Sequence, residues 1–203
     1  MGLWCGTALV LLLALTPLRG LLESRMPAHM LLQLPLLILA GGLIGGGMRT
    51  AFASWLDRFD RYGIATLLVA GSALAFWMLP RSLDAALAQP LFDALKFFSV
   101  PALIGLPAAL AWPRLPGVAC GFVFGNLLSM LAVLGWLYLA APVRVCNFYL
   151  TDDQSLTGKG LLLLVAAGGL CWLVRAFTGT VPPVTGQASR YAPSAVNRQG
   201  SGG

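Results

Sequence analysis

One stretch of the sequence gathers groups able to hold a metal ion: Met26-Pro27-Ala28-His29-Met30-Leu31-Leu32-Gln33. Pro27 suits the first turn of a helix, where its missing N–H costs nothing. Positions 26, 29, 30 and 33 then share one face, spaced as i, i+3, i+4 and i+7. That face carries two thioethers, an imidazole and an amide. Thioether with imidazole suits the soft ion Cu(I) and suits Mg²⁺ or Ca²⁺ poorly. His29 is the one histidine of the chain, so a zinc site built on several histidines is excluded. The same residues also admit a structural reading: a hydrogen-bonded histidine at a helix end, packed among methionines.

Other chemistry is sparse. The acids are Glu23, Asp57, Asp60, Asp84, Asp93, Asp152 and Asp153, and all fall outside the apolar stretches. Pumps and proton-coupled transporters need titratable groups in the membrane interior, so that class is disfavoured. Asn126, with Ser129 three residues on, is the main polar group deep in an apolar stretch and reads as an interhelical hydrogen bond. The cysteines, Cys5, Cys120, Cys146 and Cys171, form no C-x-x-C pair. Three read as packing residues and Cys146 as a loop thiol or a further metal ligand. The polar segment Thr151-Asp152-Asp153-Gln154-Ser155 precedes the last apolar stretch closely enough to cap a helix. The sharper alternative is that Asp153 and Gln154 hydrogen-bond His29 and orient it toward a metal.

The elements that carry these residues follow from composition. The chain has 203 residues, 58% hydrophobic and 10% charged, with a mean hydropathy of +0.83. Soluble domains carry about 25% charged residues. An ordinary water-soluble enzyme is therefore excluded, and the expected fold is an all-α, polytopic transmembrane helix bundle. The net charge of +6 comes without a basic run, so it reads as loop Arg and Lys near lipid headgroups rather than a nucleic-acid surface. Six spans are expected, at 3–18, 27–48, 63–79, 97–112, 117–141 and 160–177. The first lacks a basic residue ahead of its apolar core and reads as a span rather than a cleaved signal. The fourth is interrupted by Pro101 and Pro107. Segments 51–62 and 82–96 read as juxtamembrane connectors with apolar residues at helical spacing, the second broken by Pro90 and so one interfacial helix or two short ones. Residues 1–177 make one membrane domain, and the tail 178–203, rich in Pro, Gly, Ser, Gln and Asn, reads as disordered.

Six spans place both termini on one side. Arg49, Arg58 and Arg61 in one short loop tip that side toward the cytoplasm of a multi-pass inner-membrane protein. His29, Trp77, Met78, Trp136, Tyr138 and the Asp152–Asp153 segment then share the opposite side. Gly41, Gly42, Gly45, Gly46 and Gly47 give small-xxx-small spacing for close helix approach, with Gly168 and Gly169 a weaker case. No Lys-Ser/Thr follows these glycines, so they form no phosphate loop.

Two segments resemble the CtaG-type family of membrane proteins. Arg25-Met26-Pro27-Ala28-His29-Met30-Leu31-Leu32, with Pro35-Leu36-Leu37 and Ala40-Gly41, is similar to that family's H-M-x-x-H-M-L-L…P-L-L…G signature. Asp153-Gln154-Ser155-Leu156-Thr157-Gly158 is similar to its D-Q-x-x-A/G-G segment. Arg25 stands where the family has its first histidine, and the family's other internal histidines have no counterpart. The resemblance implies an assembly factor for a haem–copper cytochrome c oxidase, not an enzyme. Its client would be an oxidase subunit and its cargo Cu(I), held by His29, Met26 and Met30 and supported by Asp153 and Gln154. Two other classes stay open on the residues alone. One is a scaffolding membrane protein without ligand. The other is a small-solute carrier using Asn126, Ser129 and the proline-interrupted fourth span.

Overall fold

The computed structural model describes residues 1–141 and 149–178. Among these the chain is helical, with no strand. We number the helices α1 (Gly2–Ala14), α2 (Thr16–Glu23), α3 (Met26–Gly47), α4 (Arg49–Phe59), α5 (Ile64–Met78), α6 (Pro80–Ala88), α7 (Pro90–Arg114), α8 (Gly117–Ala140) and α9 (Thr151–Phe177). Helices α3, α7, α8 and α9 are each long and apolar enough to cross a bilayer. The pair α1–α2, bent by 70°, and the pair α4–α5, bent by 109°, raise the number to six if each pair is one span.

Proline sets several of the boundaries. Leu15 is extended, and Thr16-Pro17 starts a new helix there. The expected first span at 3–18 therefore breaks at residue 15, because Pro17 can neither donate an N–H nor clear the preceding turn. Pro80 and Pro90 each open a helix in its first turn. Segment 82–96 divides at Pro90, as the two-helix reading has it. Its second half is the start of α7, which begins seven residues before the expected fourth span at 97. Likewise α9 begins at Thr151, nine residues before the expected 160. Segment 51–62 lies within α4 and the turn after it, nearly perpendicular to α5, as an interfacial helix would. The turn closes on Gly63, whose φ of 71° suits glycine.

Two spans contain a wide, π-helical turn, at His29–Gln33 in α3 and Val100–Gly105 in α7. In each, the residue before a proline bonds five residues back: Leu34 to the His29 carbonyl ahead of Pro35, and Leu106 to the Pro101 carbonyl ahead of Pro107. A π-turn absorbs the donor that proline lacks without breaking the rod. The fourth span is thus continuous through both of its prolines.

Helix α3 is the hub. A side-chain carbon on Gly6 would strike the Ala40 carbonyl, and one on Gly47 would come within 2.7 Å of the Leu3 nitrogen. Hence α1 runs antiparallel along α3. On another face, Gly41 abuts the backbone of Pro101 and Gly45 that of Leu106, so α7 runs parallel to α3. Small residues bring these backbones together, as their spacing predicts. Helix α5 runs back along α7, from Gly63 at Ala111 to Trp77, whose indole N–H donates to the Ser99 hydroxyl at 2.9 Å. Helices α8 and α9 form an antiparallel hairpin that crosses at Gly135 and Gly158. Gly168 and Gly169, by contrast, meet only the Leu128 and Phe124 side chains.

The result is a four-helix packing of α1, α3, α5 and α7, with the α8–α9 hairpin leaning on it. Only 6% of the apolar window of α8 or α9 is buried, against 39% for α3 and 44% for α7. The outward faces of the hairpin, including Val118, Phe122, Leu163 and Leu170, therefore meet lipid. Asn126 and Ser129 also lie exposed on α8, not at a helix contact as expected. Cys5 and Cys171 are exposed and Cys120 is half-buried, so packing does not account for the first two. Cys146 and the tail from residue 179 onward lie outside the described residues.

Candidate functional site

The residues expected to do chemistry gather where α2, α3, α7 and the hairpin meet. Arg25 is extended, and α3 starts at Met26 with Pro27 in its first turn. The following π-turn carries His29, Met30 and Gln33 inward. Met26, His29 and Gln33 have no exposed surface, and Met30 is buried too.

His29 is held from one side only. Its Nδ1 lies 2.5 Å from Gln33 Oε1, and its Nε2 has no hydrogen-bond partner among the described residues. The Gln33 amide nitrogen donates to Glu23 Oε1 at 3.2 Å. Lys96 Nζ donates to the same oxygen at 2.6 Å. Lys96 also lies 3.0 Å from Asp93 Oδ1. Arg19 closes the circuit, with Nε 3.3 Å from Glu23 Oε2 and Nη2 2.5 Å from Asp93 Oδ2. Two acids and two bases thus alternate in a closed ring that sums to zero charge. The Phe97 ring lies 4.8 Å from the Lys96 ammonium and 5.9 Å from the Arg19 guanidinium, near enough for cation–π attraction. Lys96 has no exposed surface. A buried ammonium is tolerable only when paired and hydrogen-bonded, and this ring supplies that.

The hairpin reaches the site through tyrosines. The Tyr138 hydroxyl donates to the Met30 sulfur at 3.5 Å, and the Gln154 amide donates to the Tyr138 carbonyl at 3.2 Å. The Tyr149 hydroxyl donates to the Glu23 carbonyl at 3.1 Å, and its ring centroid stands 6.5 Å from that of His29.

The structure therefore brings together Met26, His29, Met30 and Gln33, as their spacing predicts. It does not join His29 to Asp153 or Gln154. Nδ1 is taken by Gln33 and Nε2 is unpartnered, so the orienting hydrogen bond comes from α3 itself. Gln154 donates to the Tyr138 carbonyl rather than to His29. Nor do Asp152, Asp153 or Gln154 precede the last helix as caps: α9 already starts at Thr151, Asp152 and Asp153 lie in its first turn, and no side chain caps it. Negative charge there still favours the helix dipole.

Glu23, Asp93 and Lys96 are the residues that sequence reasoning missed. They stand outside the most apolar windows, and so read as loop charges. Two signals were present: Arg19–Glu23 at i,i+4 and Asp93–Lys96 at i,i+3, each a helical ion-pair spacing. Among the described residues no three of His, Cys, Asp or Glu gather to hold a metal ion. Among the described residues, a metal here would rest on thioethers and the one imidazole.

No family model matches the chain, and neither a curated protein nor a solved structure matches it.

Proposed function

We propose that this chain is a non-enzymatic assembly factor for a haem–copper oxidase, embedded in an inner membrane, that takes Cu(I) as cargo at His29 with Met26 and Met30. The observation that carries the reading is the His29 Nε2 atom: fully buried, without a hydrogen-bond partner among the described residues, and set in one turn with two buried thioethers. A buried imidazole nitrogen left without a donor costs free energy, whereas a soft cation would use its lone pair together with sulfur. The donor set therefore fits Cu(I). In this reading the termini are cytoplasmic, the His29 end of the bundle faces the outer compartment, and the client is an oxidase subunit.

Metal content after purification, with and without added Cu(I), tests the reading. The wild-type chain should retain about one Cu(I) per molecule, and His29→Ala should retain none. Equal retention by the two would sink it. Bound copper should also raise the wild-type melting temperature, since a ligand that binds only the folded state stabilises it.

A second reading, a scaffold without ligand, draws support from the Arg19–Glu23–Lys96–Asp93 ring, which ties α2 to α7 by itself. Under it His29→Ala lowers stability and copper changes nothing.

A further inference from the structure

His29 is neutral or charged, and if neutral it has two tautomers; the neighbours of its Nδ1 decide between them. Both oxygens of Glu23 lie against cationic donors, Oε1 at 2.6 Å from Lys96 and Oε2 at 3.3 Å from Arg19. A carboxylate so placed only accepts hydrogen bonds. Gln33 stands 3.2 Å from Glu23 Oε1, so it must present its NH₂ there; its carbonyl turned that way would set oxygen against oxygen. The Gln33 carbonyl is thereby committed to the other side, where it meets His29 Nδ1 at 2.5 Å. A carbonyl accepts only, so Nδ1 must carry the proton. In the neutral ring the lone pair then falls on Nε2, the atom with no hydrogen-bond partner among the described residues.

We propose that Lys96, Glu23 and Gln33 form a relay that fixes His29 as the Nδ1–H tautomer and so keeps Nε2 free as an acceptor for a soft metal cation. The relay concerns the same site as the Cu(I) reading and rests on it for the identity of the ligand; the tautomer itself does not depend on copper. The three are positioning residues. Gln33 touches the imidazole, Glu23 orients Gln33, and Lys96 keeps Glu23 an acceptor. The ordering runs through three helices, because Glu23 ends α2, Gln33 lies in α3 and Lys96 in α7.

The one histidine makes the experiment direct. The full chain, labelled with ¹⁵N-histidine and reconstituted in phosphatidylcholine/phosphatidylglycerol nanodiscs without metal, gives one imidazole spin system. Nitrogen shifts and couplings at neutral pH report which ring nitrogen bears the proton. The wild type should be the Nδ1–H tautomer. Gln33→Met, close in volume, removes the acceptor, and the ring should move to a mixture or to Nε2–H. Glu23→Gln should also loosen the preference, since a glutamine there lets Gln33 turn over; it serves as the second variant if Gln33→Met does not fold. A wild-type ring protonated on Nε2, or on both nitrogens, overturns the relay. So does a folded Gln33→Met or Glu23→Gln whose ring stays Nδ1–H. Titration with Cu(I) then separates the two claims. If copper is the cargo, Glu23→Gln and Gln33→Leu, which brings no thioether of its own, should lose about 10- to 100-fold in affinity, the usual effect of removing a residue that orients a metal-binding histidine. A wild-type chain that is Nδ1–H and binds no Cu(I) supports the relay and sinks the cargo reading.

Discussion

At the corner between α4 and α5, one carboxylate starts a helix. Asp60 accepts from the Ala65 amide at 3.1 Å and the Thr66 amide at 2.7 Å, and from the Thr66 hydroxyl. Burial pushes the Asp60 carboxyl up, but the Thr66 hydroxyl and the amides of Thr66, Ala65 and Ile64 together outweigh it and hold it below its ordinary value. A carboxylate depressed in the folded state stabilises at pH values above its unfolded pKa, near 3.9, and that contribution is lost as pH falls through the lower folded value. Asp60→Ala should therefore cost about 1 kcal/mol at neutral pH, as lost helix caps do. Thermal melts of wild type and variant should converge at pH values below the folded pKa; a gap unchanged across the series would refute the capping role. At this scale the sequence was legible where periodicity holds: the Met26, His29, Met30 and Gln33 face follows from spacing alone. It was only half legible at Glu23, Asp93 and Lys96: the i,i+4 and i,i+3 spacings were there, but hydropathy weighs each charge by itself. Only the packed structure shows that four opposite charges cancel.

Among the helices, glycines separate packing from filler. A side-chain carbon on Gly41 would run into the backbone of Pro101, while one on Gly46 meets nothing within 4 Å. Gly41→Ala should force α3 off α7 and lower the melting temperature in detergent. Gly46→Ala should leave it unchanged or raise it, since alanine favours helix by up to about 1 kcal/mol over glycine. If the two variants melted alike, the close crossing would not matter. The glycine run announced a close crossing in the sequence, but not its partner, which depends on where α7 begins. The start of α7 at Pro90 was hidden because its first two turns carry Asp93 and Lys96, which lower local hydropathy below that of a span.

Across the whole molecule, the antiparallel and parallel pairings sort the chain ends. Helix α1 starts beside the end of α3, and α9 ends beside the start of α8, where Phe124 and Trp172 stack with centroids 6.5 Å apart. Both termini of the described chain thus lie at the end holding α4 and Arg114, opposite His29. Single cysteines placed in a background without the native ones test this with a membrane-impermeant thiol reagent. Ser24→Cys and Asp152→Cys should label from one face of oriented vesicles, Arg58→Cys and Thr178→Cys from the other. Labelling of Ser24→Cys and Arg58→Cys from the same face would overturn the arrangement.

The helices also differ greatly in length. At about 1.5 Å per residue, α1 with 13 residues reaches about 20 Å and α5 with 15 about 22 Å, while α8 with 24 reaches about 36 Å and α9 with 27 about 40 Å. A hydrocarbon core is about 30 Å thick. The bilayer is therefore pinched beside α1 and beside α5, and swollen beside α8 unless that helix tilts, each at a fraction of a kcal/mol per Å, whereas the first nine residues of α9, with Asp152, Asp153 and Lys159, stand outside its apolar belt. The molecule carries a thickness gradient around its own perimeter. Neighbours with short apolar belts would collect beside α1 and beside α5, and the lipid chain length would set the tilt of α8.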